Sequence, residues 1–163
     1  MGRLVLELFG HRDDELFALS DSICTALQLA NFWQDVAIDL SRDRIYLPLD
    51  DIERFRYSLD DLRAQRADKR FVQLVAFEVT RTWELFEKGR ALPERVGPEL
   101  RRQLRLTWLG GTTILKKIEA AKYDVFHHRP KLGKWDFVRL YWKARKPSAV
   151  SRHLLVERSR NDG

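Results

Sequence analysis

Residues 27–48 read LQLANFWQDVAIDLSRDRIYLP, an apolar run interrupted by Gln28, Asn31, Asp35 and Asp39 and closed by Arg42 and Arg44. No proline or glycine occurs before Pro48, and the apolar residues recur at helical rather than alternating spacing. At 100° per residue the four polar residues fall within an arc of about 80°. Cys24 and Arg42 lie on or beside that arc, Leu27 and Ile38 border it on one side, and Phe32 borders it on the other. Leu29, Trp33, Val36, Ala37 and Leu40 cover most of the rest. A surface helix has one apolar stripe and a broad polar face; this stretch is an apolar rod carrying a narrow polar strip. Carboxylates one turn apart repel unless a cation lies between them. Asp35 and Asp39, with the amide oxygen of Asn31, therefore predict a divalent metal site, and a partly solvated polar face is the alternative.

Working outward, the chain predicts helices almost throughout. Asp13 and Asp14 cap a long helix ending near Arg42, and Pro48 keeps residues 44–49 extended. A short helix, DDIERF, follows, and Ser58 with Asp61 forms a variant capping box. A long amphipathic helix is expected over residues 69–95. Gly97 ends it, and Pro98 opens another helix that reaches about Phe126 and contains the Gly110–Gly111 pair. That pair implies close packing or a kink. His127 and His128 read as charge partners of this helix's C-terminus. A last helix spans residues 134–145, and a basic polar tail follows from residue 148. The opening residues, MGRLVLELFGHRDDE, resemble the last turns of a helix already under way. No strand-like alternation is convincing, so the fold class is all-α.

The 163 residues suffice for one domain with a real core, at 44% apolar residues with five Trp and nine Phe. The single Cys24 excludes an intrachain disulfide framework and fits a reducing, cytoplasmic setting. No apolar run is long enough to span a membrane. The net charge of +6 is uneven: residues 128–163 hold ten Lys and Arg against three acids. Such a segment suits an anionic surface. Nucleic acid is disfavoured, because the aromatics sit inside helical periodicities rather than on a platform interleaved with Lys and Arg. The basic, aromatic final helix, KWDFVRLYWKARK, either packs on the bundle with its lysines in water or rests peripherally on acidic lipid. Neither a Gly-rich phosphate loop nor a zinc spacing nor a nucleophile elbow occurs.

The opening stretch closely resembles the second aspartate-rich motif of the squalene and phytoene synthase family, Gln-x-x-Asn-x-x-x-Asp-x-x-x-Asp followed by Arg-x-Arg-x-Tyr-x-Pro. It is matched here by Gln28, Asn31, Asp35, Asp39, Arg42, Arg44, Tyr46 and Pro48. Residues 114–132, ILKKIEAAKYDVFHHRPKL, resemble the end of that family's last core helix and the turn after it. ANFWQDV is most like the bacterial squalene-pathway branch called HpnC. The resemblance implies the C-terminal part of an isoprenoid-synthase bundle, residues 1–147, with Mg²⁺ as cofactor. It also implies an isoprenyl diphosphate substrate, farnesyl or presqualene diphosphate. Asn31, Asp35 and Asp39 would hold metal, Gln28, Arg42 and Arg44 would hold phosphate, and Tyr46 would donate to the diphosphate or shield the cation. Tyr123 either reaches the cavity or is a buried structural tyrosine, and Tyr46 is equally readable as a packed ring. Trp33, Phe32 and Phe126 are core residues. The products implied are hydroxysqualene or squalene, with carotenoid-type phytoene or dehydrosqualene as the alternative. A synthase-like assembly protein, as in mitochondrial complex I, is the non-catalytic alternative.

Two departures stand out. The residue between the arginines, commonly glycine in the family, is Asp43. The family's first aspartate-rich motif has no counterpart in these residues, which leaves half of a two-sided site. Removing the helices that carry it is expected to expose Leu29, Trp33 and Val36 and make the isolated chain aggregate.

Overall fold

The computed structural model describes residues 2–145, so the tail expected from residue 148 lies outside the described residues. Among the described residues the regular structure is helical. Helices α1 (Gly2–Leu8), α2 (Asp14–Gln34), α3 (Val36–Leu40), α4 (Leu49–Arg54), α5 (Leu59–Arg63) and α6 (Lys69–Gly89) are followed by a 3₁₀ turn, Leu92–Arg95. Helices α7 (Pro98–Ala120) and α8 (Lys134–Arg145) complete the order.

The caps follow from residue chemistry. Asp13 accepts from the backbone N–H of Glu15 at 2.7 Å and of Leu16 at 3.4 Å, while Asp14 is already the first helical residue. Ser58 accepts from the Asp61 N–H at 3.0 Å, as its spacing predicts. Two helices are shorter than expected. Helix α6 stops at Gly89, and the residues toward Arg95 tighten into the 3₁₀ turn around Pro93. Helix α7 stops at Ala120, because Lys122 and Tyr123 both turn left-handed, at φ 54° and 62°.

The core lies where α2, α6 and α7 meet. Ala26, Ala30 and Trp33 of α2 pack with Phe71, Leu74, Val75, Val79 and Phe86 of α6 and Ile114, Leu115 and Ile118 of α7, all buried. Three indoles tie α6 to its neighbours: Trp33 Nε1 donates to Thr82 Oγ1 (2.9 Å), Trp83 Nε1 to Glu119 Oε1 (2.7 Å) and Trp108 Nε1 to the Phe86 carbonyl (2.8 Å). A second, smaller apolar cluster joins Leu6, Leu16, Ile23, Leu92, Val96 and Leu100. Trp33 and Val36 are thus buried within these residues, at 1% and 7% exposure, and only Leu29 is partly open. The expected exposure is corrected for Trp33 and Val36: α6 covers that face from behind.

Glycine permits the closest approaches to α2. A Cβ on Gly89 would strike the Ile23 side chain and lie 2.9 Å from the Leu19 carbonyl. One on Gly111 would strike Phe86 and lie 2.8 Å from Leu27 Cδ2. Of the Gly110–Gly111 pair, close packing therefore belongs to Gly111; a Cβ on Gly110 would meet only Leu132, at 4.0 Å.

Candidate diphosphate and metal site

The long helix predicted up to Arg42 is broken at one residue, Asp35, whose backbone leaves the helical region at φ −108°, ψ 12°. Its N–H still donates to the carbonyls of Asn31 (3.0 Å) and Phe32 (3.3 Å), and its carbonyl accepts from Asp39 N–H at 2.8 Å. The polar strip therefore continues across the break from α2 into α3. Gln28 and Asn31 are exposed and Asp35 and Asp39 half-buried. The strip is open at Gln28 and Asn31 and half-covered at Asp35 and Asp39, since the described helices pack behind it and not over it.

Asp35 is not left without a cation. Arg129, from the loop after α7, donates through Nε to Asp35 Oδ1 at 2.7 Å, and its Nη2 lies at the same distance. The loop is held by its apolar residues: Val125 and Phe126 are buried, and Phe126 stacks on Phe71 at 4.1 Å between centroids. Asp124 accepts from the His127 backbone N–H at 3.2 Å and lies 3.0 Å from its ring Nδ1, with His128 3.5 Å away. The two histidines thus serve Asp124, not the end of α7. Sequence reasoning missed Arg129. It lies inside the stretch that carries the family resemblance, but a lone arginine in a loop has no periodicity to announce it.

Past Asp39 the chain closes in a Schellman motif, with Arg44 N–H on the Asp39 carbonyl (2.9 Å) and Asp43 N–H on that of Leu40 (3.0 Å). The residue between the arginines then adopts φ 56°, which explains the glycine common there. Asp is among the residues that tolerate this region best, and Asp43 is exposed. Arg42 and Arg44 are exposed on either side of the turn. Tyr46 lies flat on Phe32, centroids 4.1 Å apart and planes 3° apart, and is 42% exposed, so it is a packed ring at the edge of the strip. Asp39, Arg44, Tyr46 and Phe32 share a small cleft with Val36, Ile45, Leu47 and Leu62. Tyr123 packs, half-buried, against the main core. Asn31, Asp35, Asp39, Arg42, Arg44 and Tyr46 are thus gathered around one edge, and Gln28 lies farther along the same strip.

The donor set fits a hard divalent cation. Carboxylates from Asp35 and Asp39 and an amide oxygen from Asn31 are the oxygen ligands Mg²⁺ takes, with positions left for phosphate and water. Among the described residues no cluster of three or more His, Cys, Asp or Glu side chains forms a closed cage. An open, oxygen-poor half-site suits an ion that arrives with its ligand. An apolar cavity of about 220 Å³ lies between α1, the earlier turns of α2, the 3₁₀ turn and α7, lined by Leu6, Ile23, Cys24, Leu27, Leu100 and Leu104 among others.

An all-helical bundle with this acidic strip has the fold of the all-α isoprenoid synthases. The model of the Squalene/phytoene synthase family matches residues 1–136, and the chain belongs to that family. The chain is similar to the crystal structure of the squalene synthase HpnC from Alicyclobacillus acidocaldarius. The TM-score is 0.73 and the identity 50%, over 75% of this chain and 46% of that one. A dehydrosqualene synthase structure, 22% identical, shares the fold at a TM-score of 0.74. Among curated relatives, the 15-cis-phytoene synthase of Synechocystis sp. is 38% identical over 64% of this chain and 31% of its own length. The phytoene synthase of Thermus thermophilus is 33% identical over 88% of this chain and 49% of its own. The chain thus spans about a third to a half of the curated relatives it matches.

Proposed function

We propose that this chain supplies the second aspartate-rich half of a head-to-head isoprenyl diphosphate synthase of the squalene pathway. It would act on farnesyl or presqualene diphosphate and yield hydroxysqualene or squalene. The observation that carries the reading is the retention of the whole strip and turn, Gln28 to Tyr46, in a chain half identical to the HpnC squalene synthase over the matched region. A pure scaffold has no use for two aspartates, an amide and two arginines at these positions, which disfavours the assembly-protein alternative.

Asp35, Asp39 and Asn31 would hold Mg²⁺, which when bound neutralises charge on the diphosphate as its bond to carbon breaks. The remaining chemistry falls to the chain's own residues. Arg42 and Arg44 flank the turn and clamp phosphate oxygens, where guanidinium forks bond in bidentate fashion. Gln28 holds a phosphate or a bound water farther along the strip. Heterolysis of the allylic C–O bond sends the electron pair with the diphosphate and leaves a carbocation. The Phe32–Tyr46 stack offers that cation a π-face at the rim. In the hydroxysqualene outcome the diphosphate that ionises is presqualene diphosphate, and water adds to its cyclopropylcarbinyl cation and loses a proton; the squalene outcome needs a hydride donor in place of water. Arg129 keeps Asp35 neutralised until metal and diphosphate arrive, and then lies within reach of the phosphate.

The second reading, a phytoene-type synthase, is favoured by the curated phytoene synthases at 32–38% identity. Incubating the native full-length protein with Mg²⁺ and farnesyl, presqualene or geranylgeranyl diphosphate, with mass analysis of the product, separates the two. Squalene or hydroxysqualene supports the squalene-pathway reading, and phytoene or dehydrosqualene alone replaces it. No product from either substrate, with Mg²⁺–diphosphate binding absent, returns the protein to the scaffold class.

A further inference from the structure

Three of the five tryptophans donate to partners inside the bundle; the other two, Trp135 and Trp142, stand on α8 at 85% and 62% exposure. Helix α8 buries only a narrow stripe. Leu140 and Ala144 are covered, and Asp136 turns inward, where its Oδ2 pairs with Lys117 Nζ at 2.9 Å and accepts from the Gly133 N–H at 2.7 Å. On the side away from that stripe, Tyr141, Val138, Trp142 and Trp135 fall within an arc of about 120°. Their exposures run from 44% to 85%, and Phe137 adds another exposed ring at 60%. Lys134 and Arg145 lie within the arc near Tyr141, at the two ends of the helix, and Arg139 and Lys143 lie just beyond its Trp135 edge, all exposed. The one acid of the helix is the one turned inward, so the outward face is aromatic and positive with no compensating charge.

We propose that this face of α8 docks on the surface of an anionic lipid bilayer, with the rings at headgroup depth and the Lys and Arg side chains against lipid phosphates. Trp and Tyr favour that depth because they join an apolar body to a polar tip. A cationic helix with apolar residues on one face lies in the interface plane, and anionic leaflets attract clustered Lys and Arg. At twelve residues α8 is about 18 Å long, and among the described residues no helix is long and apolar enough to cross a membrane, so it lies on the bilayer. The charge of the chain agrees, since residues 128–163 hold ten Lys and Arg against three acids. The family match ends at residue 136, in the first turn of α8, so all of the face except Lys134 and Trp135 lies beyond the matched residues. The proposal rests on this surface and not on which reaction the site performs.

The test mixes the native full-length protein with vesicles of phosphatidylcholine alone or of equal parts phosphatidylcholine and phosphatidylglycerol. Cosedimentation with the mixed vesicles, weak on the neutral ones and weakened by salt, is the expected result. The double variants Trp135→Ala/Trp142→Ala and Arg139→Glu/Lys143→Glu should each lower the partition about tenfold or more. All four residues are exposed, so both variants should melt like the wild type and still bind a Mg²⁺–diphosphate analogue. The proposal is overturned by no binding to either vesicle or by equal binding of wild type and variants. A dimer that the tryptophan variant dissociates would assign the face to a second copy. Tryptophans already shielded from iodide in the vesicle-free protein would assign it to another part of the molecule.

Discussion

At the residue scale, the site is defined by which cation satisfies which carboxylate. Asp35→Asn should abolish Mg²⁺-dependent binding of a diphosphate analogue in calorimetry of the native full-length protein. The Asp35–Arg129 pair is about one-third open to solvent, with side chains 31% and 35% exposed, and solvent screening should hold the cost of its loss to about 1 kcal/mol of stability or less. A large drop in melting temperature would instead make Asp35 a structural residue. A second carboxylate is set differently. Glu78 has a 2% exposed side chain, and burial, reinforced by the neighbouring Asp51, pushes its carboxyl up to about 7 against the opposing pull of Arg81. Between its ordinary value of 4.5 and about 7 the folded chain keeps a proton that the unfolded chain releases. Glu78 therefore contributes stability that is fully present below about 4.5 and lost as pH rises through about 7. Glu78→Gln should remove that decline, so that its melting temperature exceeds the wild type's at pH 8 but not at pH 4; parallel pH profiles would refute the assignment. The acidic strip was legible in the sequence because four polar residues share one helical arc. Glu78 was not, since a lone glutamate on an amphipathic helix looks like any solvated one until the opposing α4 is in place.

At the scale of elements, the short helices owe their shape to their ends. Helices α3, α4 and α5 and the end of α7 close with left-handed residues that are not glycine: Asp43, Arg56, Gln65 and Lys122. A side chain there costs roughly 1 kcal/mol relative to glycine. Gln65→Gly should therefore raise stability by about 0.5–1 kcal/mol in urea melts, and a loss would show that the Gln65 side chain matters more than its backbone. Gly111→Ala should go the other way, by about 1–3 kcal/mol, because its methyl overlaps Phe86 and Leu27. These ends explain where the sequence was readable. Caps with a side-chain donor or acceptor, Asp13 and Ser58, were visible. Stops made by non-glycine residues were not, and α7 was extended six residues too far in consequence. The break at Asp35 had no signal either, since nothing about an aspartate within a helical period announces a change of ψ.

Over the whole molecule, the described helices form a body that is packed behind and open in front. The core of α2, α6 and α7 is buried among the described residues, whereas Cys24, Gln28 and Asn31 are exposed along the strip. If the added length of the relatives supplies the facing helices, a thiol reagent should label Cys24 quickly in the separately produced 163-residue chain. Labelling should be slower in the full-length protein, most of all with Mg²⁺ and a diphosphate analogue bound; equal rates would mean the strip stays open. The all-α class and the order of the helices along the chain could be read from periodicity, but which helices pack together and how tightly they sit could not. That depends on Gly89 and Gly111, which bring α6 and α7 against the back of the helix whose front carries the acidic strip. Neither glycine touches the strip, yet a methyl at either would push α2 forward and re-aim its carboxylates. Inheritance should therefore treat the two faces of α2 as one character. Lineages that retain Asp35 and Asp39 should also retain these two hydrogens in place of side chains, and lineages that abandon the chemistry should be the ones where alanine drifts in.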